Sequence, residues 1–304
     1  MTGRNSVAKQ GRLAILAIAA ATASCAALDT VERELVFRPR TEEWAGYSSA
    51  ILNPEEVSIP VGAGSDVVSG WWLAATGAEY TLVYFHGARV NLSGSVYRLR
   101  SFRDAGFNVL AIDYRGFGKS TARLPSENSV YDDAEAAWNW LDARVPDRSR
   151  RILYGHSLGG PIAAEVALRS KGAAALVLES SFTSLQELTV IGSLLTQRMD
   201  LLDKVRRLEL PVLVVHGADD RVVPPEMAQR LYDAARGPKR LFMVAGAAHN
   251  WVLRSVGPNV YAAMRELAAA QGRVSAVEAP PGAACRTSED ARHPAPGPSC
   301  SAPP

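Results

Sequence analysis

The sequence predicts an α/β protein built on a mostly parallel, doubly wound sheet with helices on both faces. Two observations carry this. Short continuous apolar runs, among them Thr81 to Phe85, Ala174 to Leu178 and Pro211 to Val215, lack the polar alternation of a half-solvated strand. They read as strands buried on both faces. Between them lie longer stretches of helical period, such as Leu92 to Ala105 and Ser126 to Leu141. Strands that alternate with helices imply parallel pairing and right-handed crossovers. The 304 residues, 47% hydrophobic and 21% charged, suffice for one large domain with a full core.

Taken in order, residues 1–25 read as an export signal. The cations Arg4, Lys9 and Arg12 precede a short apolar stretch, Leu13 to Ala23, that ends in small residues. It is shorter than the roughly 20 apolar residues of a mature membrane span. Three outcomes fit. Thr22-Ala23-Ser24-Cys25 resembles a bacterial lipoprotein processing box in which Cys25 is lipidated, with Thr22 standing where a large aliphatic residue is usual. Ala21-Thr22-Ala23 suits cleavage for soluble export, and an uncleaved segment would remain as an anchor. Each places the protein outside the bacterial cytoplasm, as a membrane-attached lipoprotein or as a periplasmic or secreted protein.

Residues 26–278 form the domain, and 26–60, with mixed charge and turn signals, read as an irregular lead-in. Val67 to Ala74, with Trp71 and Trp72, is the first strand, followed by Thr81 to Phe85, the Leu92 to Ala105 helix and the strand Phe107 to Ile112. The Ser126 to Leu141 helix precedes the strand Arg151 to Tyr154. Beyond it come a helix over Ile162 to Leu168 and the strands Ala174 to Leu178, Pro211 to Val215 and Arg240 to Val244, with helices at Pro225 to Ala235 and Trp251 to Ala269. From Ala279 to residue 304 the chain is rich in Pro, Ala, Gly and Ser without an apolar period, and reads as a disordered tail. Cys285 and Cys300 lie there, close enough in sequence to pair.

The chemistry centres on Gly155-His156-Ser157-Leu158-Gly159, set between a strand and a helix. In that setting G-x-S-x-G is a nucleophile elbow. Reversing the chain within about one residue forces Ser157 into a strained conformation, and side chains at Gly155 and Gly159 would meet the crossing chain. The turn lifts the hydroxyl to a helix N-terminus, where amides face developing negative charge.

A serine hydroxyl needs a base, and the base a carboxylate. His86 and His216 end strands before glycine and support turns, His156 should point away from Ser157, and His293 lies in the tail. His249, on the loop after the last strand, remains as the base. His216-Gly217-Ala218-Asp219-Asp220 supplies two carboxylates, and Glu179 ends the preceding strand, so spacing leaves Asp219, Asp220 and Glu179 open. Two convergent amides would complete an oxyanion hole. One is Leu158, after the nucleophile, and the other is Ala88, on the His86-Gly87-Ala88 loop.

With these motifs in order the chain resembles the α/β-hydrolase fold family of serine hydrolases over about Val67 to Ala269. The motifs are Phe85-His86-Gly87, Asp113-Tyr114-Arg115-Gly116-Phe117-Gly118-Lys119-Ser120, Gly155 to Gly160, His216 to Pro224 and Ala248-His249-Asn250. The wording is most similar to the branch with a short lid that holds depalmitoylase-like and serine-aminopeptidase-like members. The resemblance implies that Asp220, rather than Asp219, is the acid, giving Ser157, Asp220 and His249 in family order. It implies hydrolysis of an acyl ester or thioester through an acyl-enzyme, with no metal or organic cofactor. Ala88-Arg89 departs from the Asn-Ala that often follows His-Gly in such members.

The lid spans about residues 180–208. Leu185, Leu188, Ile191, Leu194 and Leu195 lie at roughly helical spacing, as do Met199, Leu202 and Val205. They read as core packing, or alternatively as an apolar pocket for medium-chain acyl groups. Two other functions compete: an exported aminopeptidase-like amidase, and a non-catalytic binding member of the fold. A net charge of +2 without a basic run among aromatics argues against nucleic acid. No cysteine lies at metal-ligand spacing from a histidine, which leaves a small-molecule or acyl-group substrate as the partner.

Overall fold

In a computed structural model of the protein, residues 26–44 and 52–278 are described, with side chains as far as residue 271. The leader with Cys25, and the tail from 279 with Cys285, His293 and Cys300, lie outside the described residues.

Eight strands form one sheet: β1 Glu55–Pro60, β2 Val67–Leu73, β3 Thr81–Phe85, β4 Asn108–Ile112, β5 Arg151–His156, β6 Ala175–Glu179, β7 Val212–Gly217 and β8 Lys239–Val244. Their spatial order is β1-β2-β4-β3-β5-β6-β7-β8. β1 with β2, and β2 with β4, pair antiparallel. Every other neighbouring pair is parallel. The helices are α1 (residues 26–37), α2 Val96–Asp104, α3 Glu127–Trp140, α4 Gly159–Arg169, α5 Leu185–Leu188, α6 Leu201–Arg207, α7 Pro225–Ala234 and α8 Val252–Glu278.

The apolar runs are continuous because both faces of the sheet are covered. Val83, Phe85, Leu153, Leu176, Leu178, Val212 and Val214 join one core, with α3, α4, α6 and α7. Their strand neighbours Leu82, Tyr84, Ile152, Tyr154, Val177, Leu213 and Val215 join the other, with α2 and α8. Side chains alternate between two buried layers. Local signals set the helix ends. Ser126 and Ser129 form a reciprocal capping box on α3, and Pro225 opens α7 at a position where its missing N–H costs nothing.

The structure corrects the sequence reading at three places. The described residues of the lead-in form regular elements, α1 and the edge strand β1. α1 is held by tertiary contacts rather than by an apolar period. The Arg33 guanidinium donates to the carbonyls of Leu124 and Pro125, and Phe37 is fully buried in the first core. The last helix runs on to Glu278, beyond Ala269. The lid leucines do not form one helix, since α5 ends at Leu188 and a 3-10 turn follows at Gly192–Leu194. Ile191 and Leu194 are exposed, whereas Met199, Leu202 and Val205 pack on the core.

Candidate active site

The carboxyl ends of β3, β5, β6, β7 and β8 lie along one edge of the sheet, the edge where Ser157 follows β5. β5 passes into Ser157 at φ +53°, a left-handed conformation costing on the order of 1–3 kcal/mol in a non-glycine residue. A Cβ on Gly159 would lie 2.0 Å from the Phe85 carbonyl oxygen, and one on Gly155 would lie 2.3 Å from that of Gly159. No side chain fits at either position. The Ser157 amide donates to the Glu179 carbonyl at 2.9 Å, tying the elbow to β6.

Beside the elbow lies the loop after β3, where a Cβ on Gly87 would be 3.2 Å from the Ser157 Cβ. The glycine-rich loop after β4 braces it. The Tyr114 hydroxyl donates to the His86 carbonyl at 3.0 Å, and the His86 ring packs against Tyr114 and Phe117. Asp113 Oδ1 accepts the Leu92 amide at 2.9 Å. His86 therefore serves the turn, as its place in the sequence suggests. The Arg89 amide, at φ +69°, donates to the Phe37 carbonyl at 3.2 Å. Among the described residues the amides of Leu158 and Ala88 donate to no protein acceptor.

The loops after β7 and β8 are sewn together. Ala218 donates to Val244 at 2.9 Å and Asp219 to Ala247 at 3.1 Å. This seam brings the Asp220 carboxylate under the His249 ring, with Nδ1 2.7 Å from Oδ2. Asp219 is exposed, while Asp220 is buried. Burial works against the Asp220 charge. His216, His249 and the Val223 amide outweigh it and hold the carboxyl well below the usual carboxylate range. Oδ1 accepts the Val222 and Val223 amides at 2.8 and 2.9 Å. His216 Nε2 lies 3.0 Å from the Val223 carbonyl and 3.2 Å from Asp220 Oδ2. Both neighbours are acceptors, so this nitrogen carries the proton.

The His249 ring lies 5.3 Å, centroid to centroid, from that of His156, the neighbour of Ser157. The Ser157 hydroxyl itself makes no hydrogen bond among the described residues. His156 is buried and Ser157 half-buried. Burial first, then the charges of Arg98 and His249, push the His156 pKa well below the ordinary value and keep the ring neutral.

Arg98, Tyr154 and Ser180 escape sequence reasoning. Glu179, fully buried, is not free to orient His249: Arg98 donates to it from Nε and Nη2 at 3.0 Å each, and the Tyr154 hydroxyl donates at 2.8 Å. Arg98 Nη2 also reaches the Asn250 carbonyl at 3.4 Å, and the Ser180 hydroxyl donates to the His249 carbonyl at 3.0 Å. These groups pin the histidine loop from below. The one advance sign was a glutamate ending an apolar strand, which requires a buried cation somewhere. A cavity of about 320 Å³ opens beside the loop, lined by Trp44, Tyr97, Arg98, His156, Trp251 and Arg254.

Fold and site define a hydrolase of the α/β-hydrolase class. The family model described as serine aminopeptidase, S33, matches residues 77–194 and 188–253, and the chain belongs to that family. A protein of Mycobacterium tuberculosis is 31% identical over 229 residues, covering 72% of this chain and 80% of its own. Human Protein ABHD12B is 34% identical over 208 residues, 57% of each chain. The structure of the Pyrococcus furiosus esterase Pf2001 superposes with a TM-score of 0.62 at 20% identity, covering 75% of this chain and 95% of that one.

Proposed function

We propose that the protein is a serine hydrolase that cleaves an acyl ester or thioester through an acyl-enzyme. The observation that carries this is the 2.7 Å contact between His249 Nδ1 and Asp220 Oδ2 beside a serine on a strained elbow. Asp220 fixes the tautomer, so that Nδ1 bears the proton and Nε2 is free to accept one. On substrate binding, His249 Nε2 takes the Ser157 hydroxyl proton as Oγ attacks the acyl carbon. The Leu158 and Ala88 amides receive the oxyanion. His249 then returns the proton to the leaving alcohol or thiol, and water repeats the sequence to release the acid. A Ser157 hydroxyl without a hydrogen bond among the described residues suits a resting site, because catalytic hydrogen bonds commonly tighten only with substrate in place.

An aminopeptidase-like amidase is the second reading, favoured by the description of the matching family model. Such an enzyme needs a carboxylate to hold the substrate amine, and the buried Glu179 carboxylate is already engaged by Arg98. Turnover of plain acyl esters with no turnover of amino-acyl amides separates the two. A fluorophosphonate probe tests the chemistry itself. Wild type should label at Ser157, with labelling lost in Ser157→Ala and cut by at least about a thousandfold in rate in His249→Ala. Folded wild type that takes no label would leave a non-catalytic binding protein.

A further inference from the structure

Two exposed apolar stretches adjoin at the catalytic edge of the molecule. On α1, Leu28, Val31 and Leu35 are 69%, 51% and 57% exposed. They recur at the three- and four-residue spacing that aligns side chains along one helix face. In the lid, Val190, Ile191 and Leu194 are 105%, 53% and 79% exposed. Glu32 joins the two stretches. Its Oε1 accepts the Thr196 and Gln197 amides, each at 2.7 Å, and its Oε2 accepts the Thr196 hydroxyl at 2.8 Å. At about 100° per residue the α1 stripe lies within some 100° of Glu32, on one side of it. The stripe therefore flanks the residue bonded to the lid just beyond Leu194. α1 cannot roll to bury the stripe, because Arg33 and Phe37 fix its other face. From α1 the chain crosses the catalytic edge: the Phe37 carbonyl accepts the Arg89 amide, and the Trp44 amide donates to the Ser93 hydroxyl.

We infer that this joint face of α1 and the lid docks on a lipid bilayer. A soluble surface rarely presents adjoining apolar segments of this kind without a partner. The sequence names the partner. Residue 26, where the described residues start and are already helical, follows the cations Arg4, Lys9 and Arg12 and the apolar Leu13 to Ala23 in the sequence, a stretch suited to attach the chain to a membrane. Only Ser24 and Cys25 separate that stretch from residue 26 in the sequence, so such an attachment brings α1 to the lipid surface. Among the described residues no helix is long and apolar enough to cross a membrane, so contact here is peripheral. An amphipathic helix lying in the interface plane fits that geometry.

The test is hydrogen exchange on the full-length protein with and without phosphatidylcholine vesicles. Vesicles should slow amide exchange in residues 26–37 and 188–196 at least tenfold. The slowing should vanish in Leu28→Ser/Val31→Ser/Leu35→Ser/Ile191→Ser/Leu194→Ser while exchange in β3 and β5 stays as in wild type. Unchanged exchange in both segments overturns the inference. So does slowing that follows protein concentration without vesicles, which would assign the face to a second copy. Activity gives an independent arm that rests on the serine-hydrolase reading. The variant should lose at least tenfold on a long-chain ester embedded in vesicles and keep its rate on a soluble short-chain ester. Equal loss on both esters counts against docking. Failure of wild type to turn over either ester sinks the hydrolase reading, and exchange still decides the docking.

Discussion

Asp220 concentrates the electrostatics of the site in one carboxylate. Its oxygens take two backbone amides and lie against two imidazoles, which is why its charge survives burial. The consequence for stability has a definite sign. Its carboxyl is depressed in the folded state, so the stabilisation is present above the unfolded carboxylate value of about 3.9 and is lost as pH falls through and below it. Melting temperatures measured between about pH 6 and pH 3 should fall more steeply for wild type than for Asp220→Asn. Parallel curves would mean that the carboxylate is not held as described. The same variant should fold and yet lose on the order of a thousandfold or more in kcat, because Asn no longer fixes the imidazole tautomer. Arg98 is the second residue whose charge matters. Burial opposes its charge, and Glu179 more than restores it. Arg98→Met would leave a fully buried carboxylate with Tyr154 alone, at a cost of about 3–5 kcal/mol. Adding Glu179→Leu should recover most of that loss. Denaturant unfolding reads both, and a single-variant cost below about 1 kcal/mol would show that the pair does not matter to the fold.

At the scale of elements, the elbow is the least forgiving part of the chain. β5 and α4 approach β3 so closely that Gly159 sits against the Phe85 carbonyl. Gly159→Ala must displace either strand or helix, and should cost about 3 kcal/mol or more and abolish probe labelling. A variant that folds normally and labels at the wild-type rate would be incompatible with this packing. The lid shows the opposite case. Its leucines have helical spacing, but Gly192 closes a turn on Gln186 where a Cβ would come within 1.8 Å of the carbonyl oxygen. The periodicity therefore stops at Leu188. α1 is similar in kind: its buried face is short, and backbone carbonyls of another loop satisfy its arginine. Hydrophobic period cannot report an element held by polar contacts across the chain.

At the scale of the whole molecule, strand order decides what meets what. The parallel strands lay their carboxyl ends along one edge, so Asp220 meets His249 although they lie on different loops, on the same edge where Ser157 follows β5. Sequence alone determined the class of fold, because strands covered on both faces must be apolar throughout and turns must carry glycine where the backbone leaves no room. It singled out Ser157 and His249 as candidates, the one through a motif and the other by elimination. It could not separate Asp219 from Asp220 without the family pattern, since neighbours on a loop have the same spacing to everything else. Tertiary structure decided that point through the seam between the β7 and β8 loops, which buries one carboxylate and exposes the other. It also decided that Glu179 belongs to Arg98, and that α1 and the lid share an outer face. Each of these depends on contacts between segments far apart in the chain, and a pattern of neighbours along the chain carries no record of them.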